Sequence, residues 1–179
     1  DLAPVPIDSI GALQSFSRRN RGDHRIKTSG VVTASIDGQG YYLQDDSGAV
    51  LVSDMSTNSW HPGDRLQVMA FSGFSDRHAR LTYPVAHRLE QGVSVTPKEI
   101  SIDDALNGIH DSELVRVRGK LIDISAMPRR QVLLISAGGK DFTATLSSSQ
   151  HQWPDVRPNS MIEVTGVCVT DLDPSGVPF

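Results

Sequence analysis

The sequence predicts an all-β protein with short helices, built as two tandem five-stranded barrels that are each preceded by a short helix. Three observations carry this expectation. Landmarks in the first half recur in the second half. Each copy opens with a short amphipathic segment followed by a strand with an internal glycine, the mark of a bulge or sharp bend. The remaining apolar runs are short and separated by Gly- and Asp-containing turns, the pattern of sheets closed into a sandwich or barrel.

The elements follow in order. "PIDSIGALQSF" matches "EISIDDALNGI", pairing Ile7 with Ile100, Asp8 with Ser101, and Ala12-Leu13 with Ala105-Leu106. Asp8 or Ser101 is placed to accept the unpaired N–H groups of a first helical turn. Next come "RIKTSGVVTASI" with Gly30 and "LVRVRGKLIDIS" with Gly119. A hairpin follows in each copy. The first turns at Ser47-Gly48 between "YYLQDD" and "AVLVSD", and the second turns at Gly138-Gly139 between "QVLLIS" and "DFTATL". The turn-and-strand "PGDRLQVMA" then matches "PNSMIEVTG" in register, with Trp60 and Trp153 shortly before them.

A fifth strand, "ARLTYPVAHRLE", ends the first copy, and Pro84 marks it as an edge or bulged strand. The boundary falls near "QGVSVTPKE", dividing the chain into 1–92 and 93–179. In the second copy only Val177, Pro178 and Phe179 follow the "DLDPSG" turn, so its last strand reads as incomplete and the natural chain as continuing. Five strands with a bent first strand is the pattern of an OB-fold barrel.

Several chemistries find no signature. Cys168 is a lone thiol in an alternating apolar run and reads as a small buried strand residue. The six histidines form no helical pair with a nearby acid, and no HExxH, CxxC or GxSxG occurs. The expectation is a non-enzymatic protein without cofactor or metal. "DLDPSG" copies the opening of a calcium loop but lacks the preceding helix, so a β-turn is preferred. Arg18, Arg19, Arg21, Arg25 and Lys27 form a basic run that reads as a solvated linker, diluted by Asp23. No apolar stretch is long enough to span a bilayer.

Taken together, "RIKTSGVVTA", "GYYLQDDSGAVLV", "HPGDRLQVMA", "ISIDDALNG" leading into "LVRVRGKLIDI", and "IEVTGVCV" resemble the tandem OB-fold-like extracytoplasmic sensor segments of bacterial histidine kinases and diguanylate cyclases. The resemblance covers most of the chain, and its motifs are structural. It implies a periplasmic or extracellular location, a membrane-anchored parent protein, and a sensor module that passes binding of a small ligand or periplasmic protein to a cytoplasmic output domain. A homodimer is compatible with it.

The ligand site expected on such a barrel is its outer rim. Strand alternation turns Tyr41 and Leu43 to the core, and Tyr42 and Gln44 outward. The loop "SDRHARL" brings Arg77, His78 and Arg80 to the same rim, where an aromatic beside guanidinium groups suits an anionic ligand. The alternative is a single-stranded nucleic-acid-binding OB-fold protein. The net charge of -4 and the 6% aromatic content make nucleic acid an unlikely partner on this reading. A carbohydrate-binding or adhesion module would need more exposed Trp than Trp60 and Trp153.

Overall fold

In the computed structural model the described residues are 7–16, 25–36, 38–56, 59–75, 78–127, 130–147 and 155–170. Arg77, Trp153, the Arg18–Arg21 run, Asp23, the "DLDPSG" turn and the final Val177–Phe179 lie outside them. The chain divides into two compact units, Asp1–Thr96 with Asp111–Leu114, and Pro97–His110 with Val115–Phe179.

In the first unit, helix α1 (Ile10–Phe16) precedes strands β1 (Arg25–Ile36), β2 (Gly40–Asp45), β3 (Gly48–Ser53), β4 (Arg65–Ser75) and β5 (His78–Glu90). The strands close on themselves in the order β1-β2-β3-β5-β4. Every neighbouring pair is antiparallel except β3 with β5. The result is an all-β, OB-like fold. Alternate residues of β2, β3 and β4 face inward. Leu43, Val52, Leu66, Val68 and Ala70 are fully inaccessible, and Ile10 and Leu13 of α1 plug the same core.

Strand β1 can serve two neighbours because it bends. Val32 exchanges backbone hydrogen bonds with the turn before β4, accepting from Gly63 and donating to Asp64. A bulge follows between Val32 and Ala34. At Gly30 the strands approach so closely that a Cβ would lie 2.7 Å from the Gln44 carbonyl oxygen. The glycine read from the sequence as a bend is therefore required by a backbone contact.

The second unit reuses these devices. Helix α2 (Ile102–Leu106) precedes β7 (Leu114–Met127), β8 (Arg130–Ala137), β9 (Lys140–Ser147) and β10 (Met161–Val167), and the short β6 (Lys98–Glu99) pairs with β7. Leu121 accepts from Asn159 and donates to Ser160, as Val32 does with Gly63 and Asp64. A bulge again follows, between Leu121 and Asp123. A Cβ on Gly119 would meet the Ile135 side chain at 2.5 Å.

Two expectations are corrected here, and closure of the second barrel is not seen among the described residues. The second sheet runs β10-β7-β8-β9 and is not closed among the described residues, because no described strand bridges β9 and β10 as β5 bridges β3 and β4. The helix register shifts by one residue: Ser9, not Asp8, corresponds to the N-cap Ser101. The Ser9 hydroxyl and carbonyl both accept from the Ala12 N–H, and Ser101 forms a reciprocal capping box with Asp104. Asp8 instead uses its backbone N–H to bond Lys27, continuing the parallel bridge between Ile7 and Lys27. Cys168 falls one residue past β10, half-buried against the cluster of Ile100, Val115 and Val117.

Candidate functional site

The rim expected from the sequence is assembled by β2, β3 and β5. Tyr42 pairs with Leu51, and Leu51 with Arg80, so these three stand in one row on the outer face. Tyr41 and Leu43 point into the core as alternation requires. Tyr42 is nonetheless only 8% exposed, which corrects its place as an open outward ring.

The covering element near this rim is the chain's own segment Asp111–Leu114. The Gln44 Oε1 accepts the Leu114 N–H at 2.8 Å, and the His78 Nδ1 lies 2.9 Å from an Asp111 carboxylate oxygen. Ser112, at φ +67, is buried in the same segment. Two of the expected ligand contacts are thus occupied within the unit. Arg80 remains, its Nε buried and without a hydrogen-bond partner among the described residues.

The open surface lies on the other flank of β5. Cross-strand pairing builds rows there from β1, β4 and β5: Arg25–Phe71–Thr82, Lys27–Met69–Val85 and Ser29–Gln67–His87. None of these nine residues is acidic. The Arg25 guanidinium sits over the Phe71 ring at 5.3 Å, and Tyr83 meets that ring edge-on at 6.5 Å. Along β5, Ala79 and Leu81 pack inward, which sends His78, Arg80 and Thr82 to the outer side. The strip therefore runs on from the rim. At the far end it is closed off by the Arg65–Glu90 ion pair.

Tyr83 occupies a bulge. Met69 pairs with Val85 and Phe71 with Thr82, so Tyr83 and Pro84 together face the single residue Ala70. Pro84 has no N–H to offer a ladder, and a bulge tolerates that. The backbone at Tyr83 is at φ +51, a conformation that costs a non-glycine residue about 1–2 kcal/mol. Pro84 signals the bulge in the sequence. Which side chains stand beside it depends on pairing across three strands, which no local pattern reveals.

Elsewhere in the barrel, Tyr41 contacts Trp60 edge-on at 6.5 Å, and Arg88 lies over the Trp60 ring at 5.2 Å while bonding the buried Asp64. Burial, reinforced by the nearby Asp54 carboxylate, raises the Tyr41 hydroxyl well above the ordinary phenol range and keeps it neutral. This cluster is structural. Among the described residues no group of three or more potential ligands could hold a metal ion, and no helix is long and apolar enough to cross a membrane.

No family model and no curated protein matches the chain. Solved structures with a similar arrangement include p202 HIN1 in complex with a 12-mer double-stranded DNA, at 7% identity and TM-score 0.43, covering 90% of this chain and 92% of that one. A murine DNA-binding protein bound with double-stranded DNA matches at 11% identity and TM-score 0.36, over 70% and 74% of the two chains. Fission yeast Pot1 with single-stranded DNA matches at 8% identity and TM-score 0.33, over 99% and 84%. The expectations of a sensor module and of nucleic acid as an unlikely partner are both corrected, the similar solved structures including DNA complexes. The physical error lay in the charge argument. A net charge averages the whole surface, whereas a phosphate meets the local field, and the three rows on β1, β4 and β5 hold no carboxylate.

Proposed function

We propose that the first unit is a nucleic-acid-binding module of OB-like type, a binding protein with no reaction assigned to it, and that the second unit is a tandem OB-like copy. The observation that carries the binding reading is the strip on β1, β4 and β5. Arg25, Lys27 and His87 stand there on adjacent rows beside Phe71 and Tyr83, and Arg80 extends the charge along β5. Cations on a β-surface attract a phosphate backbone, and the absence of acids within the rows leaves that attraction uncancelled. The tandem reading is supported by the paired bends at Gly30 and Gly119 and by the matching hydrogen bonds of Val32 and Leu121.

The test is fluorescence anisotropy of labelled oligonucleotides as a function of salt. Three phosphate contacts, from Arg25, Lys27 and Arg80, give a slope of log K against log salt of about −2 for a single strand. Replacing Arg25 or Lys27 with Ala should reduce that slope by about 0.7 each while leaving the fold intact. A slope indifferent to both substitutions would place the phosphates elsewhere.

A further inference from the structure

The aromatic part of the strip has a geometry that charge alone does not explain. Tyr83 is 80% exposed, on a backbone at φ +51, in a bulge that adds a residue to β5. A large apolar ring is held in water on a conformation that disfavours any side chain. Strain kept at an exposed aromatic points to use of the ring. Phe71 stands T-shaped to it, at an interplanar angle of 85°, and the 80% exposure of Tyr83 leaves most of its ring open to water. Phe71 is itself held by Arg25 over its face.

We propose that Tyr83 is a base-stacking residue that selects unpaired nucleobases, so that the strip takes single-stranded rather than duplex nucleic acid. This rests on the nucleic-acid reading above. A ring face is a partner for a flat base only when that base is out of its own stack, which is the condition of a single strand. Phosphates on either side of such a base would meet Arg25 and Lys27, which stand in the rows flanking the bulge on its two sides. Val85, 48% exposed in the Lys27 row, extends the apolar floor beside the ring. The bulge breaks the regular alternation, since Thr82 already faces outward and a straight β5 would have placed Tyr83 inward in line with Leu81.

The decisive variant is Tyr83→Gly, because glycine relieves the positive φ while deleting the ring. A merely structural tyrosine would lower the melting temperature when lost. A stacking tyrosine on a strained backbone leaves it unchanged or raised, while affinity for a labelled oligo-dT of about ten nucleotides falls about tenfold. Tyr83→Phe should retain the affinity, and a duplex of equal length should bind the wild-type chain more weakly than the single strand at the same salt. If wild type binds the oligonucleotide and Tyr83→Gly binds it equally well, stacking is overturned and the nucleic-acid reading stands. Equal affinity for duplex and single strand overturns the selectivity in the same way. If wild type binds neither at low salt, both this inference and the reading beneath it fall.

Discussion

Corresponding surfaces of the two units carry cations in opposite settings. In the first unit, Lys27 and Ser29 of β1 lie beside Gln67 of β4. The repeat places Arg116 and Arg118 of β7 at the positions of Lys27 and Ser29, and Glu163 of β10 at that of Gln67. Glu163 accepts from the Arg118 Nε at 2.7 Å and lies 3.4 Å from the Arg116 Nε. Its carboxyl is held below the usual range chiefly by the Arg118 hydrogen bond. Gln67 against Glu163, together with Ser29 against Arg118, thus separates a surface whose cation has no facing carboxylate from one whose cations are paired. The lesson is that a fold repeat conserves backbone geometry while its outer rows are free to diverge.

The interiors differ as well. Leu66 and Val68 of β4 are fully buried, whereas Ile162 and Val164 at the equivalent places on β10 are half-exposed. Helix docking follows the same contrast. Gly11 of α1 packs on the Ser47 backbone, while Asp103 of α2 reaches Lys140 through an exposed ion pair at 2.6 Å. Such pairs contribute little in water.

The largest expected effect breaks the comparison of cores. Leu66→Ala should cost about 3 kcal/mol and Ile162→Ala about 1 kcal/mol, because only the first leaves a cavity in a closed interior. Denaturant-dependent amide exchange, resolved by unit, checks the difference, and equal losses would mean that the second interior is as closed as the first.

Next in size, Gly30→Ala and Gly119→Ala should each destabilise their own unit by about 2 kcal/mol, since each Cβ collides with a facing strand. Thermal unfolding of the two variants should show similar shifts, and a neutral result at either site would deny that its bend is a close approach.

Gln67→Glu should sharpen the surface comparison. It gives the first strip the carboxylate of the second and should lower oligonucleotide affinity by about 1 kcal/mol, near fivefold, at low salt. Anisotropy titration reads it directly.

The smallest effect concerns pH. The folded-state carboxyl of Glu163 is depressed, so its contribution is present above the ordinary glutamate range and is lost as pH falls through the lower folded value. Melting of Glu163→Gln should therefore differ slightly from wild type at pH 7 and converge with it in acid. Because the pair is exposed, high salt should shrink the difference at pH 7.

Much of this was legible in the sequence. Gly30 and Gly119 announced the bends because only a glycine tolerates the backbone contact, and the Pro62 and Pro158 turns kept the two copies in register. The helix register was off by one because Asp8 and Ser9 are both competent caps by residue type, and the choice is made by Asp8 bonding Lys27 instead. Gln44 follows its alternation but not its availability, since Leu114 arrives from seventy residues away to occupy it. The strip on β1, β4 and β5 was invisible for a related reason. Its members are scattered from Arg25 to His87 and become neighbours only through pairing.

The hairpin turn at Asp45–Gly48 has a consequence for the order of folding. One carboxylate, that of Asp45, accepts from Ser47 and Gly48 within its own turn and from the Ile10 N–H of α1. A seven-residue helix does not persist by itself in water, whereas a local hairpin forms within microseconds. The turn can therefore form before the helix, and Asp45 would then offer the Ile10 N–H a ready acceptor as α1 docks. The earliest-synthesised helix of the unit would then be among its late structures to become fixed, waiting for a segment made more than thirty residues after it.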